Sequence, residues 1–327
     1  MSCLIITNGD SAAQRIAELG IADIVLPWRD VLHEGPVLPC DDLCEQSVGR
    51  VAFIAGFADM SQADVARDFA QRDDVFLQAA GEQGTRIELW FEHDLYDQLQ
   101  LMQILDVLYR QFPTKDVYLV QADFYLAEMT NEDFEELPQQ AVKIALSQKE
   151  YGAKAWHAFC APDPNMIGDF LTQEATLPFV YKALQRLLRE YPDAETGLPL
   201  SVSYALSLLC EKETAKIKDM FLHMQICEEA KFMGDLSFAH LVDSLIATSE
   251  PVLCGTEKPL SKLADCEYMS FFEQTVKLSS LGHKIMDGQA SNLDVNPEQR
   301  WIGGAQLSCD NMYVFEGKGN KIIHVVR

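Results

Sequence analysis

Short apolar runs that alternate with longer stretches of helical spacing restrict this chain more than any other feature. "CLIIT" (3–7), "ADIVLPW" (22–28), "RIELWF" (86–91) and "DVYLVQA" (116–122) read as strands. Between them lie "AAQRIAELG", a stretch around 47–58, "SQADVARDFAQR" from Ser61, a stretch after Asp74, and "DQLQLMQILDVLYRQF". These carry apolar residues at the spacing of one helix face. Strands separated by helices cannot pair as tight hairpins. They form a parallel sheet whose two faces the helices cover.

The pattern changes after "DVYLVQA". "DFEELPQQAVKIALSQKEYGAKAWHAF" and "PFVYKALQRLLREY" are helical, and "YPDAETGLP" reads as a linker. "LSVSYALSLLCE", "AKIKDMFLHMQICEE" and "SFAHLVDSLIAT" follow as helices. "MSFFEQTVKLSSLGHKIMDG" reads as a strand and then a helix. "RWIGGAQL" and "NMYVF", with a Gly-rich tip at "EGKGNK", read as closing strands. The glycine pair marks a tight turn or a close backbone approach. The expected fold is α/β. A Rossmann-like parallel-sheet domain covers 1–124, a helical segment 125–193, and a mainly helical, winged-helix-like C-terminal domain 194–327.

Composition removes several classes of function. A formal net charge of −24, with 26 Lys and Arg scattered among 327 residues, disfavours nucleic acid, whose phosphates need clustered cations. No run reaches the roughly 18 apolar residues of a membrane helix, and "CLIIT" lacks the basic flank of a signal peptide. Nine cysteines at dispersed positions suit reduced thiols in a cytoplasm. "PCDDLC" is the one close pair, and no second pair follows to complete a zinc site.

In a parallel sheet with covered faces, ligands bind beyond the carboxyl ends of the strands. That rim collects "NGDS", "WRDVLHEGP" and "EHDLYDQ". In the first, Gly9 lets the backbone approach a ligand, and Asp10 or Ser11 is expected to cap the next helix. One glycine does not make the dinucleotide fingerprint, and no P-loop lysine follows. Gly-Asp-Ser also resembles the nucleophile block of GDSL-type esterases. Their Asp-x-x-His pair lies near the far end of the chain, whereas here that spacing occurs in "DVLH". In the second stretch Asp30, His33 and Glu34 sit in a turn fixed by Gly35 and Pro36. In the third, Asp94 suits a helix cap and Asp97 favours the positive helix end, which leaves His93 unexplained.

The candidate catalytic residues are therefore His33, His93, Asp30 and Asp94. The candidate ligand-binding residues are Gly9, Asp10, Ser11, Glu34, Asp97 and Gln98. Histidines beside carboxylates serve acid/base chemistry or bind Zn, Mn or Fe, and the sequence selects no particular metal or cofactor. The bland reading, in which these residues are caps and solvated turns, accounts for the aspartates alone.

"VLPWRDVLHEGPV" and "LWFEHDLYDQLQLMQIL" resemble the paired signatures of the bacterial family catalogued as domain of unknown function 1835. "ITNGDSAA", "AWHAFCAPDP", "FMGDLSFAHL" and "RWIGGAQL" are similar to its further blocks, so the likeness spans nearly the whole chain. It implies that the two rim blocks belong to a shared pattern, and it implies no particular activity. The chain departs from the family at "GLPLSVSYA", where an Arg-rich "GLSRTE"-like start is usual, and at "NMYVF", which replaces a Trp-rich strand.

Two functions remain open. One is a hydrolase or transferase acting on a small phosphorylated or nucleotide-like molecule at the rim. The other is a non-enzymatic ligand-sensing or adaptor protein, whose acidic surface suits a basic protein partner.

Overall fold

The computed structural model describes residues 2–256, 258, 260, 268–297, 299–317 and 321–325. Cys266 and residues 318–320 of the Gly-rich tip lie outside the described residues. The chain divides into two compact units, 1–185 with 303–305, and 186–302 with 306–327.

The first unit is built on the four apolar runs. They form β1 (Ser2–Thr7), β2 (Ile24–Pro27), β3 (Thr85–Glu92) and β4 (Val117–Ala122), all parallel. A two-residue strand, β5 (Val142–Lys143), joins β4 antiparallel and completes the sheet in the order β2-β1-β3-β4-β5. β5 was not expected, because two exposed residues carry no alternation to read. The fold is thus mixed α/β with a five-stranded, mostly parallel sheet.

Strand alternation divides the core. Ile5, Trp90, Val120 and Ala122 join Ala12 and Ile16 of α1 (Asp10–Glu18) in one cluster. Phe134 of α5 (Asn131–Glu136) belongs to the same cluster. Leu4, Ile6, Leu89 and Phe91, of opposite parity, are fully buried as well. α2 (Leu43–Phe57), α3 (Gln62–Gly81) and α4 (Leu95–Gln111) fill the stretches between β2 and β4. α3 runs unbroken through Asp74, where a second helix start was expected. Ser61 caps it by accepting from Asp64 N.

α4 departs from the amphipathic pattern. Its polar residues Gln98, Gln100, Gln103 and Asp106 are as buried as its leucines. They serve as bonding posts: Gln103 accepts from Trp28 Nε1 and donates to Gln46, and Gln100 donates to Asp30 O. α6 (Leu146–Cys160) packs along α4, and α7 (Asn165–Phe170) and α8 (Pro178–Leu188) follow. Residues 303–305 belong to this unit. Gly304 N donates to Phe159 O, and a Cβ at Gly304 would stand 1.8 Å from Cys160 O.

The second unit begins with α9 (Leu200–Glu211), β6 (Ala215–Lys216), α10 (Ile217–Cys227), α11 (Asp235–Ile246) and β7 (Leu253–Cys254). A short helix, α12 (Tyr268–Glu273), then precedes β8 (Thr275–Leu278), so "MSFFEQTVKL" is a helix before it is a strand. Phe271 and Phe272 explain the reversal: adjacent and both buried, they read as a strand core but sit on a helix. β6, β8 and β7 make an antiparallel sheet in that order. α13 (Ser280–Met286) and α14 (Asn292–Val295) lead to β9 (Arg300–Ile302) and β10 (Ala305–Leu307), which pair. β11 (Met312–Glu316) and β12 (Lys321–Val325) form an antiparallel ribbon.

Among the described residues, no helix is long and apolar enough to cross a membrane. The eight described cysteines are free thiols.

Candidate functional site

The strand order reverses between β1 and β3, since β2 lies on one side of β1 and β4 beyond β3 on the other. A crevice opens at the carboxyl edge of such a reversal, bordered by the segments that follow the two central strands. Here those segments are Asn8–Ser11 and Glu92–Gln98.

After β1 the chain turns at Gly9, whose φ of +43° is strained for any side-chain-bearing residue. Gly9 is the N-cap of α1, and no side chain caps that helix. This corrects the expected capping by Asp10 or Ser11. Both residues lie inside the helix or at its first position, and the Asp10 carboxylate turns to Arg29, accepting from its Nε at 2.7 Å. Among the described residues, no side-chain cap meets the first backbone N–H groups of α1. Thr7, one residue earlier still, is fully buried and its Oγ1 has no hydrogen-bond partner among the described residues.

After β3 three carboxylates converge. One oxygen from each of Glu92, Asp94 and Asp97 lies within 4.8 Å of the others. Their exposures are 6%, 3% and 0%. Local chemistry explains each position. Asp94 is the N-cap of α4 and accepts from Asp97 N at 3.2 Å. Asp97 accepts from Glu92 N at 2.5 Å and from Asn8 Nδ2 at 2.6 Å. Glu92 Oε1 accepts from Leu126 N at 2.8 Å. Gln98 donates from Nε2 to Glu92 O.

No ion pair to a Lys or Arg reaches the three carboxylates among the described residues. The electrostatic result is uniform. Burial, followed by the Glu92 charge, pushes Asp94 up to about 7. Burial and the Asp94 charge hold Asp97 well above the usual carboxylate range, and burial raises Glu92.

The other candidates are dispersed around this centre. Asp30 is buried against Arg50, which donates to it from Nε and Nη2, at 2.7 Å for the latter. Arg50 also donates to the carbonyls of Val31, Glu34 and Pro36, so one guanidinium organises the whole "DVLHEGP" turn. Gly35 completes it with φ +71°, since a Cβ there would meet the Phe53 ring at 2.5 Å. The His33 ring stands edge-on to Tyr96, with centroids 5.9 Å apart. His93 instead lies against Tyr125 and Phe179, at 5.6 and 5.7 Å, with a buried Nδ1 that has no hydrogen-bond partner among the described residues.

The structure thus brings Asp94, Asp97 and Gln98 together. Asn8, next to Gly9, is the residue of the first segment that reaches them, while Asp10 pairs with Arg29, and the two histidines have separate aromatic neighbours. Neither histidine contributes a nitrogen to the carboxylate cluster. Sequence reasoning passed over Asn8 and Glu92 as site residues. Glu92 carried a usable signal, a carboxylate ending a strand whose other residues are almost all apolar. Asn8 carried none, because its partner lies 89 positions away.

No family model matches the chain, and no curated protein matches it. Among solved structures, the crystal structure of Plasmodium falciparum topoisomerase II DNA-binding, cleavage and re-ligation domain aligns with a TM-score of 0.46 at 10% identity. The alignment covers 99% of this chain and 54% of that one, so this chain spans about half its length. A likeness of that size carries no argument about fold or activity.

Proposed function

We propose that the chain is a hydrolase or transferase acting on a small phosphorylated or nucleotide-like ligand held at the carboxyl rim of the five-stranded sheet. In this reading the first unit is Rossmann-like, and its ligand lies at the reversal between β1 and β3. One observation carries the reading: the Asn8–Asp97 hydrogen bond joins an uncapped helix N-terminus to three buried carboxylates. The N–H groups after Gly9, with Asp10 and Ser11 beside them, would meet phosphate oxygens. Asp94, Asp97 and Gln98 would flank the reacting group, and His93 and His33 would supply acid/base chemistry. Asp30 and Glu34 would hold the His33 turn through Arg50. Calorimetric titration with inorganic pyrophosphate and with a nucleoside triphosphate tests this reading. Binding that weakens about tenfold or more in Gly9→Ala supports an amide cradle. No heat from either probe, with and without Mg2+, overturns it.

The element order of the second unit favours a second reading. α9, β6, α10, α11, β7, α12 and β8 follow one another with sheet order β6-β8-β7. We read this as a winged-helix-like module, which suits a ligand-sensing or protein-interaction adaptor. α11 stands where such a module carries its recognition helix. It holds Asp235 and Asp243 and no Lys or Arg, which disfavours DNA and fits a basic protein partner. Ligand binding without turnover would select this reading.

The blocks "DVLHEGP" and "EHDLYDQ" support membership of the family catalogued as domain of unknown function 1835. The free cysteines fit a cytoplasmic protein.

A further inference from the structure

Three carboxylates buried together without a counter-cation are costly, because each disfavours ionisation of the others. Such a group either keeps protons or receives a cation. A second observation, independent of the carboxylates, selects between these. Gln98 is fully buried, and its Nε2 is committed to Glu92 O, which fixes the amide plane at the end of β3. Its Oε1, only one amide width from that nitrogen, has no hydrogen-bond partner among the described residues. Asp94 and Gln98 are one turn apart on α4, so they share a helix face. The orphaned carbonyl oxygen therefore stands over the same turn that presents Asp94 and Asp97.

We infer that Glu92, Asp94, Asp97 and Gln98 Oε1 form a site for a hard divalent cation of the Mg2+ or Mn2+ class. The donor set is entirely oxygen, which suits those ions and not the histidine-rich sites of zinc. Opposed ligands of a six-coordinate Mg2+ stand roughly 4.0–4.2 Å apart, so carboxylate oxygens within 4.8 Å of one another need close in by only about half an ångström to reach it. The fixed donors have a positioning role here. Asn8 Nδ2, Glu92 N and Leu126 N each hold one carboxylate oxygen and leave further lone pairs for the ion. Low exposure implies a partly dehydrated ion with few remaining waters.

The inference deepens the reading of the same rim and rests on it for its purpose, but it is tested with the metal alone. Mn2+ is titrated into chelator-treated full-length protein, and the free-ion electron paramagnetic resonance signal is followed at moderate salt. One ion per chain should be bound, and Mg2+ should displace it. Asp94→Asn keeps an N-cap oxygen for Asp97 N and so preserves the helix start. It should weaken Mn2+ binding about tenfold or more while circular dichroism stays unchanged. Surface carboxylates bind Mn2+ equally in both proteins, so the difference reports the rim. Equal Mn2+ binding in the two folded proteins, or none in either, overturns the site. Mn2+ binding without any pyrophosphate binding would leave the cation site standing and remove the phosphorylated-ligand reading. Pyrophosphate binding without Mn2+ binding would do the reverse.

Discussion

Asn8 Nδ2 donates to Asp97 Oδ1 at 2.6 Å and ties the turn after the first strand to the first turn of α4. The bond spans the strand-order reversal and holds together the two segments that border it. Asn8→Ala leaves a fully buried carboxylate oxygen without its donor. The expected loss of stability is about 1–3 kcal/mol, read as a lower urea midpoint with an unchanged slope. Asn8→Asp should cost more, since it replaces the donor to Asp97 with a fourth carboxyl group. A midpoint unchanged in both variants would remove the bond from the account.

Asp30 and Arg50 form the most enclosed ion pair at the rim, each with 1% side-chain exposure. Breaking it from one side strands a buried charge. Asp30→Ala and Arg50→Met should each destabilise the protein by about 3–5 kcal/mol. The double variant should cost clearly less than the sum of the two. An additive double-mutant cycle would contradict the pairing.

Two buried groups set opposite pH limbs. Burial alone would raise Glu190, but Arg186, Arg300 and the Ser201 hydroxyl hold it below its usual range. A depressed carboxylate contributes stability that is present above its unfolded value and is lost as pH falls through the folded one. The rim cluster has the opposite sign. Asp94, raised to about 7, lets the folded state keep a proton that the unfolded chain releases near 3.8. Stability therefore falls as pH rises between those values. Thermal melts of chelator-treated protein should peak on the acidic side of neutrality. Asp94→Asn should flatten the neutral limb, with a gain on the order of 2 kcal/mol at about pH 8. Glu190→Gln should flatten the acid limb. A neutral limb unchanged in Asp94→Asn would contradict the raised carboxyl.

Gly304 has no room for a side chain, because its Cβ would enter the carbonyl of Cys160 at 1.8 Å. Gly304→Ala must displace the backbone at the end of α6. It should lower the melting temperature far more than Gly288→Ala, where nothing stands within 4 Å of the added carbon but φ is +69°. Equal effects of the two would contradict the steric exclusion at Gly304.

The parallel strands were legible because apolar runs between helical stretches admit few other arrangements. The α4 cap was legible for a local reason, since Asp94 and Asp97 meet within one turn. What escaped was non-local or atypical. Arg50 organises the "DVLHEGP" turn from a different helix, and nothing in its own neighbourhood announces it. Gln100 and Gln103 of α4 were not singled out, since a polar residue at helical spacing usually faces solvent. Histidine drew attention to the rim, yet the tight cluster there is of carboxylates.

The most direct test of the rim as a reaction centre is phosphate release from a panel of nucleoside triphosphates, pyrophosphate and simple phosphomonoesters, measured with Mn2+ or Mg2+ present. Turnover of at least one of them by the wild-type chain is expected, with a drop of about a hundredfold or more in Asp94→Asn at unchanged fold. Release at equal rates in both proteins, or none from any member of the panel, would contradict it.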